Sequence, residues 1–313
     1  MDTKLYVSSS PHFRSNATTR RIMLDVIIAL MPTAVAACII FGMQALSLIA
    51  ICVAGCVLLE YISRKIMKRD TTIGDLSAVV TGLLLALNLP VNIHPLIALF
   101  GCLVAIVVVK QMFGGIGMNF VNPALAARIV LLVSFPSQMM SWVVPFWYQK
   151  ADAITAATPL AAEKGTYSYI TLLLGNHGGS IGEVCAAALI LGGIYLLIRR
   201  VISPIIPCVY IVSAALMSLC VGADPLYQIL SGGLMLGAIF MATDYTTSPV
   251  TVWGKVIYAV GCGVLTILLR SFSNMPEGVS FSILLMNILT PLIERVTIPR
   301  TLGFVKQKKG EKK

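Results

Sequence analysis

Long apolar segments recur along almost the whole chain, and they limit the available folds more than any other feature. A helix needs about 20 mostly apolar residues to cross roughly 30 Å of hydrocarbon. With 58% hydrophobic and 12% charged residues, the 313-residue chain is far more apolar than a soluble globule. We therefore predict an all-α polytopic membrane protein. About ten spans are expected, at 22–41, 45–63, 75–90, 95–113, 121–145, 182–198, 201–222, 226–243, 255–270 and 279–297.

The placement of basic residues predicts the orientation. If the N-terminus is cytoplasmic, most of the 23 basic residues fall in inside segments, and only Lys150, Lys164 and Arg270 fall outside. Cytoplasmic loops are enriched in Lys and Arg, so both termini are predicted inside and the loop carrying Thr158 outside. The net charge of +10 follows from this bias and from a basic tail suited to anionic lipid headgroups. Nucleic acid is not expected as a partner.

Two parts of the chain resemble each other, which favours an internal repeat. Residues 118–125 align with 286–293, and 76–90 align loosely with 230–249. Five spans per half would make the two copies inverted; chance similarity between apolar helices is the alternative. The predicted organisation has five parts, which are a cytoplasmic segment 1–21, a first repeat 22–145, an outer loop 146–181, a second repeat 182–297 and a basic cytoplasmic tail 298–313.

The cysteines do not indicate a metal site. All eight fall in apolar segments and none forms a Cys-x-x-Cys pair. Cys52 and Cys56 are four residues apart on one predicted helix, but no second pair or histidine is near them in sequence. We interpret the thiols as small buried hydrophobes. No metal and no iron–sulfur centre is expected on this chain alone.

Acidic residues in or beside the spans are costly in a membrane, so they are candidates for ion coupling. Asp25, Glu183 and Asp244 are the candidates chosen here. Glu60 is interpreted as paired with a basic neighbour. Arg128, deep in the fifth predicted span, needs an acidic or phosphate partner that the sequence does not identify.

The outer loop carries a chemical motif at 152–158. An enzyme that transfers FMN from FAD to a hydroxyl needs an exposed, extended Ser or Thr, small flanking residues and a preceding acid. Asp152, Thr155, Ala157 and Thr158 fill the pattern Asp-x-x-Ser/Thr-Gly/Ala-Ala-Ser/Thr, with Ala156 where Gly is usual. Thr158 is predicted to carry FMN through a phosphoester, and Thr155 is the less favoured acceptor. An ordinary solvated threonine is the alternative.

A glycine-rich run at 113–122 precedes the fifth span. It lacks the Lys-Ser/Thr of a phosphate-binding P-loop. Glycines such as Gly115 let backbone amides approach a flavin ring, and Asn119 and Asn122 are expected on one helical face, where their amides can donate and accept. Close packing of helices is the alternative use of these residues.

Several separated motifs, in the same order, carry a family resemblance. They are Ser10-Pro11-His12, the run 113–117 followed by Asn119 and Asn122-Pro123, the Thr158 loop, 178–183, and Ala242-Thr243-Asp244. Over essentially its whole length the chain resembles the RnfD family, whose members are membrane components of the Rnf complex, an ion-translocating ferredoxin:NAD oxidoreductase. It is similar, more distantly, to NqrB, the corresponding component of the sodium-pumping NADH:quinone reductase.

This resemblance implies a flavoprotein subunit of a redox-driven Na⁺ or H⁺ pump in the bacterial inner membrane, not catalytic alone. It implies covalent FMN on Thr158 and a non-covalent riboflavin held by Asn119 and Asn122. Further cofactor contacts are expected from Gly115, Gly179, Ser180 and Asp244. The implied partners are the lipid bilayer, the other Rnf subunits, including iron–sulfur subunits and a second covalent-flavin subunit, and a flavin transferase.

Two other functions fit the same predicted topology. A urea- or ammonium-channel-like permease would also show ten spans in two inverted halves, and so would an anchor for partner subunits. Neither has a use for a flavin acceptor loop. A subunit of a quinone-reductase-type sodium pump is the alternative within the flavoprotein class.

Overall fold

The computed structural model describes residues 17–146, 155–156, 158–160, 167–273 and 278–299, with Thr155 and Ala156 described by their backbone alone. Within these residues the fold is helical apart from one short strand pair, so the prediction of an all-α membrane protein is confirmed. The helices, in chain order, are α1 Thr19–Phe41, α2 Met43–Ile66, α3 Ser77–Leu87, α4 Pro95–Leu103, α5 Pro123–Ser134, α6 Pro136–Met139, α7 Tyr169–Leu174, α8 Ala186–Ile198, α9 Ile205–Cys220, α10 Pro225–Leu230, α11 Leu234–Leu236, α12 Val252–Phe272 and α13 Gly278–Thr297.

Three further helical segments complete this list: a 3₁₀ turn and two π-helices. They are Ile73–Asp75, Val104–Gln111 and Gly237–Met241. The π-helices continue α4 and α11 without a break in the chain. π-Helical turns are rare and concentrate at functional sites. These two contain Lys110 and Met241.

Four helices in the described part of the chain are long and apolar enough to cross a membrane. They are α1, α2, α12 and α13. Five of the other six predicted spans coincide with shorter apolar helices, so ten crossings and an inverted repeat stay a prediction. The two aligned segments also differ in place, because Pro123 begins α5 whereas Pro291 lies inside α13.

Three predicted spans are longer than the helices that the structure shows at those positions. The helix expected at 121–145 ends at Ser134, because Pro136 disfavours a helical residue before it. The helix expected at 182–198 begins only at Ala186. The segment 226–243 is interrupted between Leu230 and Leu234.

Helix starts follow a local rule that recurs three times. His94, Asn122 and Asp224 each precede a proline at the first helical position, and each side chain accepts a hydrogen bond from a backbone amide two residues later. The capping atom satisfies an amide that the helix itself leaves unbonded. Proline suits the next position because it has no amide hydrogen to lose.

The core forms where helices from distant parts of the sequence pack together. α1 packs against α8, α2 against α3 and α4, and α12 against both α9 and α13. Small residues allow close approach: a Cβ added at Gly82 of α3 would lie 2.8 Å from the backbone oxygen of Cys52 in α2. Such contacts are typical of helices packed in membranes.

The cysteines are only partly buried, in contrast to the prediction. Cys52, Cys56 and Cys102 are buried between α2 and α4, where the Cys102 thiol donates to the backbone oxygen of Cys52. Cys208 and Cys220 are exposed on α9. An apolar helix that crosses a membrane can present a thiol to lipid, and for that reason apolar surroundings in sequence do not imply burial in the protein.

Candidate functional site

A large cavity, here called the Asn122 cavity, lies where the start of α5 meets α1, α3 and the end of α8. Its volume is about 390 Å³. Its walls are mainly apolar. The polar side chains that line it are those of Thr19, Ser77, Thr81, Lys110, Asn119, Asn122, Thr243, Asp244 and Thr246. Asn119 and Asn122, which the resemblance assigns to riboflavin, and Asp244, which was predicted as a further cofactor contact, therefore lie around one cavity.

The two asparagines are held by the loop before α5, not by a helical face as predicted. Asn122 Oδ1 accepts from the amides of Ala124 and Leu125, at 3.0 and 3.4 Å, and thereby caps α5. Its Nδ2 donates to the backbone oxygen of Met241 at 3.3 Å. Asn119 Nδ2 donates to Thr246 Oγ1 at 3.0 Å. Capping and side-chain bonds fix both amides at the cavity wall.

Asp244 lies in the segment 242–251 between Gly237–Met241 and α12, and Thr246 Oγ1 joins it to Asn119. Its carboxylate accepts from the hydroxyls of Thr246 and Thr247, at 3.0 and 3.3 Å. Burial raises the pKa of Asp244, and the bonds from the two threonines oppose that rise. A buried acid with a raised pKa therefore lines the cavity.

Gly115 does not line the Asn122 cavity, although Gly117 and Ile116 do. Gly115 has a φ of +107° and lies against the guanidinium of Arg64, and its amide donates to the backbone oxygen of Lys110 at 2.9 Å. Its conformation is one that favours glycine. Gly115 therefore shapes the loop that carries the cavity residues without touching the cavity itself.

A second, much smaller site surrounds Thr158 and is here called the Thr158 pocket. It measures about 20 Å³ and is lined by Arg128, Thr158, Leu160, Glu183, Gly232, Gly233, Arg270, Val279 and Ser280. Thr158 is only 6% exposed, and its Oγ1 has no hydrogen-bond partner among the described residues. The expectation of an exposed Thr158 is thus wrong. Docking of the next two residues explains the burial, since Tyr227 donates to the backbone oxygen of Pro159 and Leu160 lies against Gly232.

Arg128 finds its partner in Glu183. The Nη2 atom of Arg128 lies 2.9 Å from Glu183 Oε1, and both side chains are buried. Nη1 donates to Asn88 Oδ1. A segment 55 residues away in sequence thus supplies the carboxylate that the sequence could not identify. Glu183, predicted as an ion-coupling acid, is engaged in this pair.

The loop before α8 brings Glu183 into position. The amide of Gly182 donates to the backbone oxygen of Leu87 at 2.7 Å, which ties the loop to the end of α3. Gly179 lies beside the carboxylate of Glu183, and Ser180 is fully buried. Burial lowers the pKa of the nearby His177. Gly179 and Ser180 thus belong to the surroundings of the Thr158 pocket and not to the Asn122 cavity.

Two glycines at the break between α10 and α11 admit charged side chains to the Thr158 pocket. A Cβ added at Gly233 would lie 2.7 Å from Glu183 Oε1, and one at Gly232 would lie 2.9 Å from Arg270 Nη2. Arg270 also donates to the backbone oxygens of Gln228 and Ser231, at 2.7 and 3.1 Å, near the end of α10. The interruption of the predicted span 226–243 is therefore part of the site.

Buried polar contacts connect the two sites. Asn122 Nδ2 donates to the Met241 backbone oxygen, Asn88 Nδ2 approaches Met241 Sδ at 3.7 Å, and Asn88 accepts from Arg128. Asn122 and Arg128 are six positions apart at the start of α5, which corresponds to roughly 9 Å along a helix axis. The two sites are close neighbours within one helix bundle.

The remaining predicted site residues lie elsewhere or outside the described part. Asp152 and Ala157 are not among the described residues, and the backbone of Thr155 pairs with Val143 in the antiparallel strand pair Trp142–Val143 and Thr155–Ala156. Asp25 accepts from Tyr195 and Arg199 at 3.0 and 3.3 Å, which joins α1 to α8.

Glu60 pairs with Lys110, not with a basic residue near it in sequence. Lys110 Nζ lies 2.8 Å from Glu60 Oε2, and both side chains are buried. Lys110 is 50 residues further along the chain. Sequence reasoning missed this pair because the two helices that carry it meet only in the fold.

Helices with apolar outer faces, a cavity among them and buried ion pairs define a membrane protein with an internal binding site. The chain belongs to the NQR2, RnfD, RnfE family, whose pattern it matches over residues 6–303. It is 49% identical to the D component of the Na⁺-translocating ferredoxin:NAD⁺ oxidoreductase complex of Acetobacterium woodii, with 99% of each chain covered.

Two further relatives carry related names. The D component of the proton-translocating ferredoxin:NAD⁺ oxidoreductase complex of Clostridium ljungdahlii is 40% identical, over 95% of this chain and 96% of its own. The D component of the ion-translocating oxidoreductase complex of Stutzerimonas stutzeri is 38% identical, over 90% of this chain and 92% of its own. The family predicted from separated motifs is therefore confirmed over nearly the full length.

Proposed function

We propose that this protein is the flavin-bearing membrane subunit of an ion-translocating ferredoxin:NAD⁺ oxidoreductase complex in a bacterial inner membrane. It passes electrons between a covalent FMN on Thr158 and a non-covalent riboflavin in the Asn122 cavity. The main support is the convergence of Asn119, Asn122 and Asp244, from two distant segments, on one cavity of suitable size. The names of the three relatives support the complex and its coupling to ion transport.

The Asn122 cavity has the properties that a neutral flavin requires. Its volume of about 390 Å³ lies within the usual range for small-molecule sites, roughly 300–1,000 Å³. Apolar walls suit the isoalloxazine ring. Asn119 Nδ2 donates both of its hydrogens to Val121 and Thr246, so Asn119 would offer the ring its Oδ1 as an acceptor. Asn122 Oδ1 caps α5, so Asn122 would offer the second hydrogen of its Nδ2 as a donor. In the described residues around the cavity, Lys110 is the one basic side chain, and Glu60 already balances its charge. That balance favours riboflavin over a phosphorylated flavin.

The Thr158 pocket has the charge that a phosphodiester requires. Two guanidiniums, from Arg128 and Arg270, and the carboxylate of Glu183 give its lining a net charge of +1. FMN linked to a hydroxyl through its phosphate carries one negative charge, so the linked pocket would be neutral. The Thr158 oxygen without a hydrogen-bond partner among the described residues is the atom that would form the ester. Burial of Thr158 implies that the transferase acts before residues 158–160 dock.

Within this arrangement the chain's own residues orient and insulate the two groups. Arg128 and Arg270 would hold the phosphate, and Asn119 and Asn122 would hold the riboflavin ring. Bound flavins supply reversible one- and two-electron chemistry. Asn88 and Met241, both buried, contact each other between the two sites. The buried link between the neighbouring sites supports electron transfer between them.

Coupling to ions is assigned first to Asp244. Asp25 and Glu183 are held in pairs with Arg199 and Arg128, whereas Asp244 faces the cavity and binds threonine hydroxyls. We infer that both termini are cytoplasmic, that the Thr158 loop is on the outer face, and that iron–sulfur subunits, a second covalent-flavin subunit and a flavin transferase are partners. A permease finds no support in the names of the three relatives.

In-gel fluorescence of the denatured chain tests the covalent flavin. The chain is produced together with a flavin transferase as wild type, Thr158→Ala and Thr155→Ala. Fluorescence that survives denaturation is expected in the wild type and in Thr155→Ala, and is expected to vanish in Thr158→Ala. A wild-type chain without fluorescence, beside a transferase shown to act on a control acceptor, would refute the assignment.

A further inference from the structure

A buried lysine occupies a position that is built like a cation site. Lys110 Nζ lies 2.8 Å from Glu60 Oε2 and 2.6 Å from Ser77 Oγ. The side chain of Glu60 is fully buried and that of Lys110 is 4% exposed. Removing two full charges from water is costly, and a buried pair seldom recovers that cost as stability. A charged pair inside a membrane protein therefore points to a function.

The oxygens around the ammonium form a larger set than the ion pair needs. Glu60 Oε1 accepts from Thr72 Oγ1 at 2.7 Å, and Asp75 Oδ1 accepts from the amide and the hydroxyl of Ser77 at 2.9 and 2.6 Å. The ammonium thus contacts one carboxylate and one hydroxyl, and a second hydroxyl and a second carboxylate are hydrogen-bonded to those two groups. Hard metal cations prefer oxygen ligands of this kind. A site that bound only a proton would need one carboxylate, and the hydroxyls would not be required.

The Lys110 side chain lies beside a cavity into which it can move. Lys110 and Ser77 both line the Asn122 cavity, so the ammonium lies between the oxygen cluster and the proposed riboflavin site. The π-helix Val104–Gln111 carries Lys110, and the lysine side chain has a flexible four-carbon stem. On the other side the cluster approaches the surface, because Thr72 is half-buried and Thr71 beside it is exposed.

We propose that Glu60, Ser77 and Thr72 form a sodium site that the Lys110 ammonium occupies in this structure and vacates when negative charge enters the Asn122 cavity. The exchange conserves charge at Glu60, since one monovalent cation replaces another. The ammonium then neutralises the charge added to the cavity. The event that moves Lys110 rests on the proposed function, because reduction of a bound flavin would add the negative charge. The existence of the sodium site does not rest on the proposed function.

Thermal unfolding of the purified full-length chain in detergent tests the site without any flavin. The midpoint Tm is measured against NaCl concentration, with choline chloride keeping the ionic strength constant. The Lys110→Met substitution removes the ammonium from the proposed site. The Tm of this variant should therefore rise by several degrees as sodium is added and then level off, as expected for a ligand that binds the folded state. Wild type should show no sodium-specific rise. The double variant Lys110→Met/Glu60→Gln, which has no charge to balance, should show none either.

A second measurement covers the case in which Lys110→Met does not fold. Ser77→Ala and Thr72→Val keep the ion pair, and in the whole complex each should raise the sodium concentration for half-maximal electron transfer several-fold. Ser63→Ala is the matched control, because Ser63 lies one turn from Glu60 on α2 and bonds only its own helix. Its sodium dependence should equal that of the wild type.

The outcomes separate this site from the proposed function. A folded Lys110→Met chain whose Tm responds equally to sodium and choline would overturn the site, even if the chain binds both flavins. Electron transfer that is independent of sodium in the wild-type complex would overturn it as well. A sodium-dependent Tm in a Lys110→Met chain that binds no flavin would support the site and refute the flavin trigger.

Discussion

The Asn122 cavity and the Thr158 pocket lie close together along α5 yet are built in opposite ways. The first measures about 390 Å³ and has largely apolar walls, whereas the second measures about 20 Å³ and contains two arginines and a glutamate. A preformed cavity can select a ligand by shape alone. A pocket of about 20 Å³ has room for about one water molecule, so a phosphate on Thr158 would displace the side chains around it and its flavin ring would lie outside the pocket. The contrast matches one dissociable and one covalent cofactor.

The largest effect is expected from breaking the ion pair of the Thr158 pocket. Arg128→Met leaves Glu183 buried without its charged partner, which should cost roughly 3–5 kcal/mol of unfolding free energy. The double variant Arg128→Met/Glu183→Gln removes both charges and should recover more than half of that loss. Thermal unfolding in detergent measures both. Equal losses in the single and double variants would show that the charge pairing does not organise this pocket.

Overpacking the same pocket should have a smaller effect. Gly233→Ala places a methyl group 2.7 Å from Glu183 Oε1, and the displacement should cost about 1–3 kcal/mol. Gly74→Ala is the matched control, since no atom lies within 4 Å of the added methyl group. Unfolding midpoints and covalent flavin content of both variants provide the check. A Gly233→Ala chain identical to Gly74→Ala would contradict the close approach of Glu183.

At the Asn122 cavity, two substitutions separate ligand binding from helix capping. Asn122→Ala removes the cap of α5, at a cost of about 0.5–2 kcal/mol, and also the amide that faces the cavity. Asn122→Ser keeps a capping oxygen and loses only the amide. Both should lose the extractable flavin and the bond to the Met241 backbone oxygen, while the alanine variant, which also loses the cap, should lose more stability. Retention of extractable flavin in the serine variant would exclude Asn122 as a ligand contact.

The smallest expected effect is a pH dependence at Asp244. Burial raises its pKa in the folded state, so its contribution to stability is complete at pH values below the unfolded pKa and declines as pH rises through the folded pKa. Asp244→Asn lacks this decline. The Tm of Asp244→Asn relative to wild type should therefore increase as the pH rises above about 4, near an ordinary Asp pKa. A constant difference would show that Asp244 does not titrate differently on folding.

Sequence reasoning identified side chains better than it identified their partners. Asn119 and Asn122 were predicted to hold one cofactor and Asp244 was predicted separately as a cofactor contact, and the three line one cavity. The partners of Arg128 and Glu60 lie 55 and 50 residues away, and no local pattern encodes such a pairing. The helix start at Pro123 could have been found, because an asparagine followed by proline is a capping signal. That signal would have placed Asn119 in a loop.

The interior position of Thr158 was not predictable from its motif. The residues from Asp152 to Thr158 describe what a transferase requires, which is an accessible hydroxyl on an extended segment. Burial depends instead on Gly232, Gly233 and Tyr227, which lie far along the chain in and after α10. A modification motif thus predicts that a residue is accessible when the enzyme acts on it. The fold determines whether that residue is exposed or buried afterwards.

The most direct test of two unlike flavin sites is a flavin count per chain, divided into flavin released by denaturation and flavin that stays attached. The chain is produced with a flavin transferase as wild type, Thr158→Ala and Asn122→Ser. One flavin of each kind is expected in the wild type, with only the attached flavin lost in Thr158→Ala and only the released flavin lost in Asn122→Ser. A wild-type chain with a single flavin, or loss of both kinds in either variant, would contradict the account.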